Sequence, residues 1–193
     1  MPINVINSTY TLLGAYAAVG KSGTIAAGQS AASPVFAFRW GDTTLGKLGV
    51  VDRITASVSS LGTGFTAGVG YLDAVIARAF TASDSGGTSM TLTTTNARRR
   101  TSYGTTLLTD AQIANTAALT AGTRTLDSQA FGALMFPVTT ATNFVHLATS
   151  NLWAPDPRDP LVFAQDEGFI IRATVPATGT WQLVVGVEWR EVN

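Results

Sequence analysis

Residues 181 to 190 carry the most restrictive pattern in the chain. Trp181, Leu183, Val185, Val187 and Trp189 alternate with Gln182, Val184, Gly186, Glu188 and Arg190. Side chains of a β-strand point to opposite faces with a period of two, so the first set forms one apolar face. A helix would scatter the same residues around its circumference. The segment therefore predicts a long, half-buried strand, and such a strand needs a second layer to bury its apolar face against. Gly168 to Val175 alternates in the same way, with Phe169, Ile171 and Ala173 against Ile170, Arg172 and Thr174. Ala177-Thr178-Gly179-Thr180 lies between the two and reads as a hairpin turn, so the two segments are expected to pair.

Further strand patterns follow the same logic. They are Pro34 to Trp40, Val50 to Ser59, Gly70 to Phe80, Met90 to Thr95 and Phe131 to Val138, with Ser60 to Gly64 as a turn. Thr, Ala and Gly dominate, and Thr favours strands through its branched Cβ. Short strands punctuated by glycine predict an all-β sandwich, of jelly-roll type, over residues 34 to 193. Residues 1 to 33 read differently. Ile3 to Leu13 could form one strand, but 14 to 33 are mostly Gly, Ala and Ser without a clear period. The expectation is an N-terminal arm that orders on a neighbouring subunit. One segment permits a helix: Thr109-Asp110-Ala111-Gln112 fits a capping box, with Gly122 as the stop, although Thr and Asn within it oppose one.

Composition restricts the function. The 193 residues carry 12 basic and 12 acidic side chains, for a formal net charge of zero. Only 12% of residues are charged while 46% are hydrophobic, and the mean hydropathy is +0.24. Balanced charge speaks against a nucleic-acid binder and against attraction to an anionic membrane. A neutral, charge-poor monomer is poorly soluble, so much of its surface is expected to face other protein. The absence of cysteine removes disulfides, thiolate chemistry and Cys-based metal sites, and a single His excludes a multi-His centre. No stretch is apolar enough to span a membrane as a helix, and Met1-Pro2-Ile3-Asn4 lacks a basic leader. Assembly in a cytoplasm is the resulting expectation.

No motif assembles a catalytic, cofactor or metal site. Ala15 to Ser22, with Gly20-Lys21-Ser22, matches a permissive phosphate-binding loop, and Leu48 to Asp52 could end an acidic strand. Gly23, Gly28 and Pro34 then break the helix whose amides would hold the phosphate. Gly62-Thr63-Gly64-Phe65-Thr66-Ala67 opens no helix either, so it reads as a turn with a bulge. His146 lies in the apolar run Asn143 to Leu147, without a nucleophile elbow elsewhere, and reads as structural. Asp156, Asp159, Asp166 and Glu167 place carboxylates near one another, but Pro155, Pro157 and Pro160 make their loop a stiff connector. Trp181 and Trp189 belong to the core rather than to a sugar-binding platform. Arg98-Arg99-Arg100 with Tyr103 is the only basic run, and is the candidate contact for a protein partner ahead of nucleic-acid phosphate.

Three stretches carry a resemblance. They are Ala77-Arg78-Ala79-Phe80-Thr81-Ala82-Ser83-Asp84-Ser85-Gly86-Gly87-Thr88, then Ala117 to Asp127, then Pro160-Leu161-Val162-Phe163 through Glu167-Gly168-Phe169-Ile170-Ile171-Arg172 to Glu188-Trp189. Their order and spacing, over roughly residues 35 to 192, resemble structural proteins encoded among the head genes of tailed bacteriophages. The resemblance implies a non-enzymatic virion component, of the minor capsid or decoration (cement) type. Its partners would be the major capsid protein or other virion proteins, with homo-oligomers, a trimer among them, at joints of the shell. Two other readings are a receptor- or glycan-binding domain of a head or tail fibre and a small hydrolase.

Overall fold

The computed structural model describes residues 11–26, 29, 31–43, 46–92, 97–154 and 160–193. Twelve strands run in chain order: β1 Leu12–Lys21, β2 Ile25–Ala26, β3 Ser33–Trp40, β4 Leu48–Ser60, β5 Gly68–Arg78 and β6 Gly87–Ser89. They continue with β7 Asp110–Ala114, β8 Thr125–Val138, β9 Val145–Trp153, β10 Leu161–Phe163, β11 Glu167–Thr174 and β12 Thr180–Val192. No helix occurs among the described residues. The strands form two antiparallel six-stranded sheets. In the first, the order is β1-β12-β4-β10, with β2 also on β12 and β9 also on β4. In the second it is β6-β7-β3-β11-β5-β8. The chain is thus an all-β sandwich, and it passes from one sheet to the other at most of its major turns.

The pattern over 181 to 190 is what the fold uses. Trp181, Leu183, Val185, Val187 and Trp189 are all buried, while Gln182, Val184, Gly186 and Glu188 are half-exposed and Arg190 is exposed. Across the gap, Phe36 and Phe38 of β3 and Phe169 of β11 supply the facing layer. Phe38 stacks on Phe169 at 5.0 Å within its sheet and meets the edge of Trp189 at 5.6 Å from the other. Offset and edge-on arrangements suit the aromatic quadrupole and fill the space between the sheets.

The expected pairing of Trp181–Trp189 with Phe169–Val175 does not occur. β11 lies between β3 and β5, whereas β12 lies between β1 and β4 in the opposite sheet. The link 175–179 is an arch between layers and not a hairpin. Sheets pack about 10 Å apart, which five residues span easily. Gly179 makes the bend at φ +103, where a Cβ would lie 2.8 Å from the Gly64 carbonyl oxygen. Alternation reports that each strand has a buried face; it does not report which strand completes its backbone hydrogen bonds.

Further expectations are corrected. Residues 12 to 26 are part of the sandwich rather than an arm. β1 pairs with β12 from Leu12↔Val192 to Lys21↔Val184, Tyr16 stacks on Trp189 at 5.5 Å, and Ile25 is buried. One buried aromatic side chain and a full ladder suffice to fix a strand whose middle is otherwise Gly and Ala, so composition conceals it. Residues 1 to 10, including most of the Ile3–Leu13 expectation, lie outside the described residues. The capping-box segment is strand β7, because Ala111 and Ile113 alternate and pair with Phe38 and Phe36. Tertiary partners overrode the local signal. Of the expected strand Met90–Thr95, Thr93 to Thr95 lie outside the described residues; strand β6 ends at Ser89, and Met90 just beyond it donates its amide to the Ala111 carbonyl at 2.8 Å.

The outer face of the second sheet is partly covered. Ala37, Val75, Ala77 and Ile170 point away from the sandwich interior yet are buried under Phe80 and Leu119, with Leu126 packed beside them. The cover consists of 79–86 and 115–124, held to each other by the Ser85↔Thr120 bridge and by Thr81 N–H to Thr123 O at 3.0 Å.

Candidate interaction surface

The three stretches that carry the resemblance meet in this cover. Asp84 and Arg124 form an ion pair whose side chains are 0% and 4% exposed. Asp84 also accepts the Gly122 amide at 2.9 Å, and the Arg124 guanidinium lies over the Phe80 ring at 5.4 Å. Burial lowers the Arg124 pKa. Arg78 joins the second and third stretches, holding Asp127 through two hydrogen bonds of 2.9 and 3.1 Å and Glu167 at 3.1 Å. The hydrogen bonds and charge of Asp127, then the charge of Glu167, raise the Arg78 pKa. What these residues build is a clamp between loops. Each carboxylate faces a guanidinium.

Arg98, Arg99, Arg100 and Tyr103 lie along the outer edge of β1. The Ala17 amide donates to Ala97 O at 2.7 Å and the Arg99 amide to Ala15 O at 2.9 Å, with a bridge at Tyr16↔Arg98. Arg99 pairs with Glu188 at 2.8 Å, and the same carboxylate also holds Arg53. Arg100 lies over the Tyr103 ring at 5.9 Å, and Tyr103 lies 6.5 Å from Tyr16. The run thus caps part of an edge strand, the position at which a sheet otherwise invites another chain. Glu191, 1% exposed, pins the following residues by accepting the Thr106 hydroxyl, the Leu107 amide at 2.9 Å and the Trp189 indole N–H at 3.3 Å. Burial raises the Glu191 pKa despite these donors. Burial and the neighbouring Glu191 push the Tyr16 hydroxyl up to about 12. Arg99 and Arg100 are the exposed part of the candidate, with Arg98 and Tyr103 half-buried beside them.

The other sequence candidates fall as follows. Ala15–Lys21 is strand β1, so its amides point alternately to either side instead of converging on a phosphate. Ser22 is buried, with its hydroxyl accepting the Leu183 amide at 2.9 Å. His146 is buried between Phe65 and Phe144, at 5.1 and 5.2 Å, and burial lowers its pKa against the pull of the Pro137 carbonyl. Asp166 pairs with Arg39 at 3.6 Å and Glu167 with Arg78; Asp156 and Asp159 lie outside the described residues. No cluster of three metal-ligating side chains occurs among the described residues. Trp40, Trp181 and Trp189 are core, while half-buried Trp153 meets Phe131 edge-on at 6.4 Å.

The structure also brings together a surface that the motif search missed. Residues 22–38, 54–72, 128–155 and 173–187 contain no Asp, Glu, Lys or Arg. Each of these four runs contains a loop at the same end of the sandwich: β1–β3, β4–β5, β8–β9 and β11–β12. The loops touch one another. Gly62 N–H reaches Asn143 Oδ1 at 3.0 Å, Thr66 N–H reaches Thr178 Oγ1 at 2.8 Å, and Val175 N–H reaches Gln29 O at 3.1 Å. A Cβ on Gly64 would lie 2.1 Å from the Thr140 carbonyl oxygen, so the loops pack backbone to backbone. This end exposes Leu61, Phe144 and Val145, at 39, 47 and 58%, and the adjoining outer face exposes Val69, Tyr71 and Met135. Among the described residues, Lys21 at the end of β1 is the charge that borders it, and the Arg172–Asp73 pair lies farther down the sheet. The signal was present in the sequence as four charge-free runs, but only the topology stacks them.

Compared with protein-family models, curated proteins and solved structures, the chain matches none.

Proposed function

We propose that this chain is a structural subunit of a bacteriophage virion, of the minor capsid or decoration type, which binds the major capsid protein or other virion proteins. The carrying observation is the segregation of charge. One end of a charge-poor sandwich has no ionic group on its four loops and exposes apolar side chains there. Interface cores are depleted in charge, because a desolvated ion without a partner is costly. Such an end suits permanent burial against protein. The strand order supports the same reading. Taken as eight principal strands, β1, β3, β4, β5, β8, β9, β11 and β12 run 1-8-3-6 in one sheet and 2-7-4-5 in the other, which supports a jelly-roll reading. Shell proteins use that architecture. The subunit would act by burial: interface formed across a joint stabilises the assembled state by mass action.

The test is mass spectrometry of purified particles with copy number. Hundreds of copies per particle are expected for a shell role, and a few dozen or fewer would move the protein to the tail or fibres. Its absence from purified particles would overturn the proposal.

A further inference from the structure

We infer that the outer face of the first sheet, where β1, β12 and β4 run side by side, docks an acidic segment of a partner protein, one carboxylate of which enters a hollow beside Arg53 and Glu188. The inference does not rest on the virion role. It gives the basic run at the β1 edge a partner of stated chemistry, on a surface separate from the charge-free end.

Two rows of residues cross the three strands on this face: Val19, Gly186 and Thr55, and beside them Ala17, Glu188 and Arg53. Gly186 brings no side chain and Ala17 only a methyl group. The face sinks there into a hollow of about 150 Å³, walled by Val19, Thr55, Arg53 and Glu188. A Cβ on Gly186 would lie 2.6 Å from the Thr55 hydroxyl oxygen, so the hollow exists because this position is glycine. Val19, 72% exposed, forms an apolar wall that the methylenes of an entering side chain would cover.

Charge decides what enters. Arg53 and Arg99 hold the two oxygens of a single carboxylate, Glu188, Arg99 at 2.8 Å. Two guanidiniums on one carboxylate leave a surplus positive charge and unused N–H donors. Their side chains stay 48 and 51% exposed, so those donors are accessible. Lys21 lies on the same face of β1, two residues beyond Val19, exposed and outside the ion pairs of the described residues. The neighbouring Arg190–Asp52 pair neutralises itself. Three cations thus surround the hollow against one anion, in a chain whose formal net charge is zero. The local excess comes from placement and draws negative charge to this spot. A carboxylate there takes charge-assisted hydrogen bonds from Arg53 and a bond from the Thr55 hydroxyl. Nucleic acid fits less well: its closely spaced phosphates need a continuous row of cations, and Glu188 and Asp52 interrupt this one.

The test titrates the purified full chain, followed by amide NMR, with two end-blocked peptides that differ only at the centre: Ser-Ala-Glu-Ala-Ser and Ser-Ala-Gln-Ala-Ser. The Glu peptide is expected to shift the amides of Val19, Gly186 and Glu188 saturably, more weakly as salt is raised. The Gln peptide is expected to leave them in place. Arg53→Gln is expected to weaken the Glu peptide at least about tenfold, and Lys21→Gln about threefold. Gln182→Ala, farther along the same face of β12, is expected to change nothing. The amide spectrum of each variant checks its fold. The inference is overturned if no saturable shift reaches these amides by about 10 mM peptide, or if both peptides act alike. Binding that survives both folded charge variants would also overturn it. So would a ten-nucleotide oligothymidylate that saturates the same amides at lower concentration than the Glu peptide, which would assign the site to nucleic acid. Particle mass spectrometry is a separate measurement, so this contact and the virion role can fail independently.

Discussion

The molecule has two buried clusters of opposite character. Between the sheets, the core is apolar and aromatic, with Trp40, Trp181, Trp189, Phe36, Phe38 and Phe169 at 0 to 1% exposure. On the outer face of the second sheet, a smaller cluster under Phe80 and Leu119 adjoins the buried Asp84–Arg124 pair. The first is held by area removed from water and by close packing, which tolerate the loss of one contact in proportion to its size. The second depends on two charges that are acceptable only together. A non-directional interior makes the sandwich; a directional ion pair fastens loops that have too little apolar surface to hold themselves.

The widest separation between the clusters should appear when one charge is removed. Arg124→Met strands Asp84 and is expected to cost about 3–5 kcal/mol, read as a shift of the guanidinium chloride midpoint. The double variant Asp84→Leu/Arg124→Met should recover most of that loss. If it does not, the pair contributes more than mutual neutralisation and the contrast between the clusters fails. In the sandwich interior, Leu183→Ala is expected to cost about 2–5 kcal/mol, with no single partner change able to restore it.

Two buried titratable groups sharpen the comparison through pH. His146 has a folded pKa below its ordinary 6.5, so the unfolded chain binds its proton more tightly. Its contribution is full above about 6.5 and is lost as pH falls toward the depressed folded value. Glu191 has a folded pKa above its ordinary 4.5, so the folded chain binds its proton more tightly. Its contribution is full below 4.5 and is lost as pH rises through the raised folded value. Urea midpoints across this range should therefore respond to His146→Phe and Glu191→Gln with slope changes of opposite sign. Slopes unaffected by either variant would place the titration elsewhere. The smallest effect is expected on the outer face of β12, where Gln182→Ala should change stability by less than about 0.5 kcal/mol. Losses as large as those for Leu183→Ala would show that the two faces of the strand are not distinct.

How much of this was legible follows from the kind of information each feature needs. The strands β3, β4, β5, β11 and β12 were readable because their large apolar residues recur every second position. β1 was not, because Gly14, Ala15, Ala17, Ala18 and Gly20 leave no hydrophobic contrast, and its ladder with β12 is a long-range fact. β7 carried a helix-capping signal that its pairing with β3 overrode. Of the candidate contact residues, Arg98 and Arg99 turned out to be engaged at the β1 edge, because charge in a sequence does not say whether a partner is already folded beside it. The clamp was visible only as separate acidic and basic residues 40, 49 and 89 positions apart.

The sequence by itself determined that the chain is β and layered, that its interior is aromatic, and that its charges are few and unevenly spaced. These depend on the period of side chains along a strand and on composition, which are local. Only the tertiary structure decided that β11 and β12 belong to different sheets, that Asp84 meets Arg124, and that four charge-free loops share one end. Those depend on which strands neighbour each other. Alternation fixes the face a side chain takes, while neighbours are chosen by packing and backbone hydrogen bonding over the whole molecule.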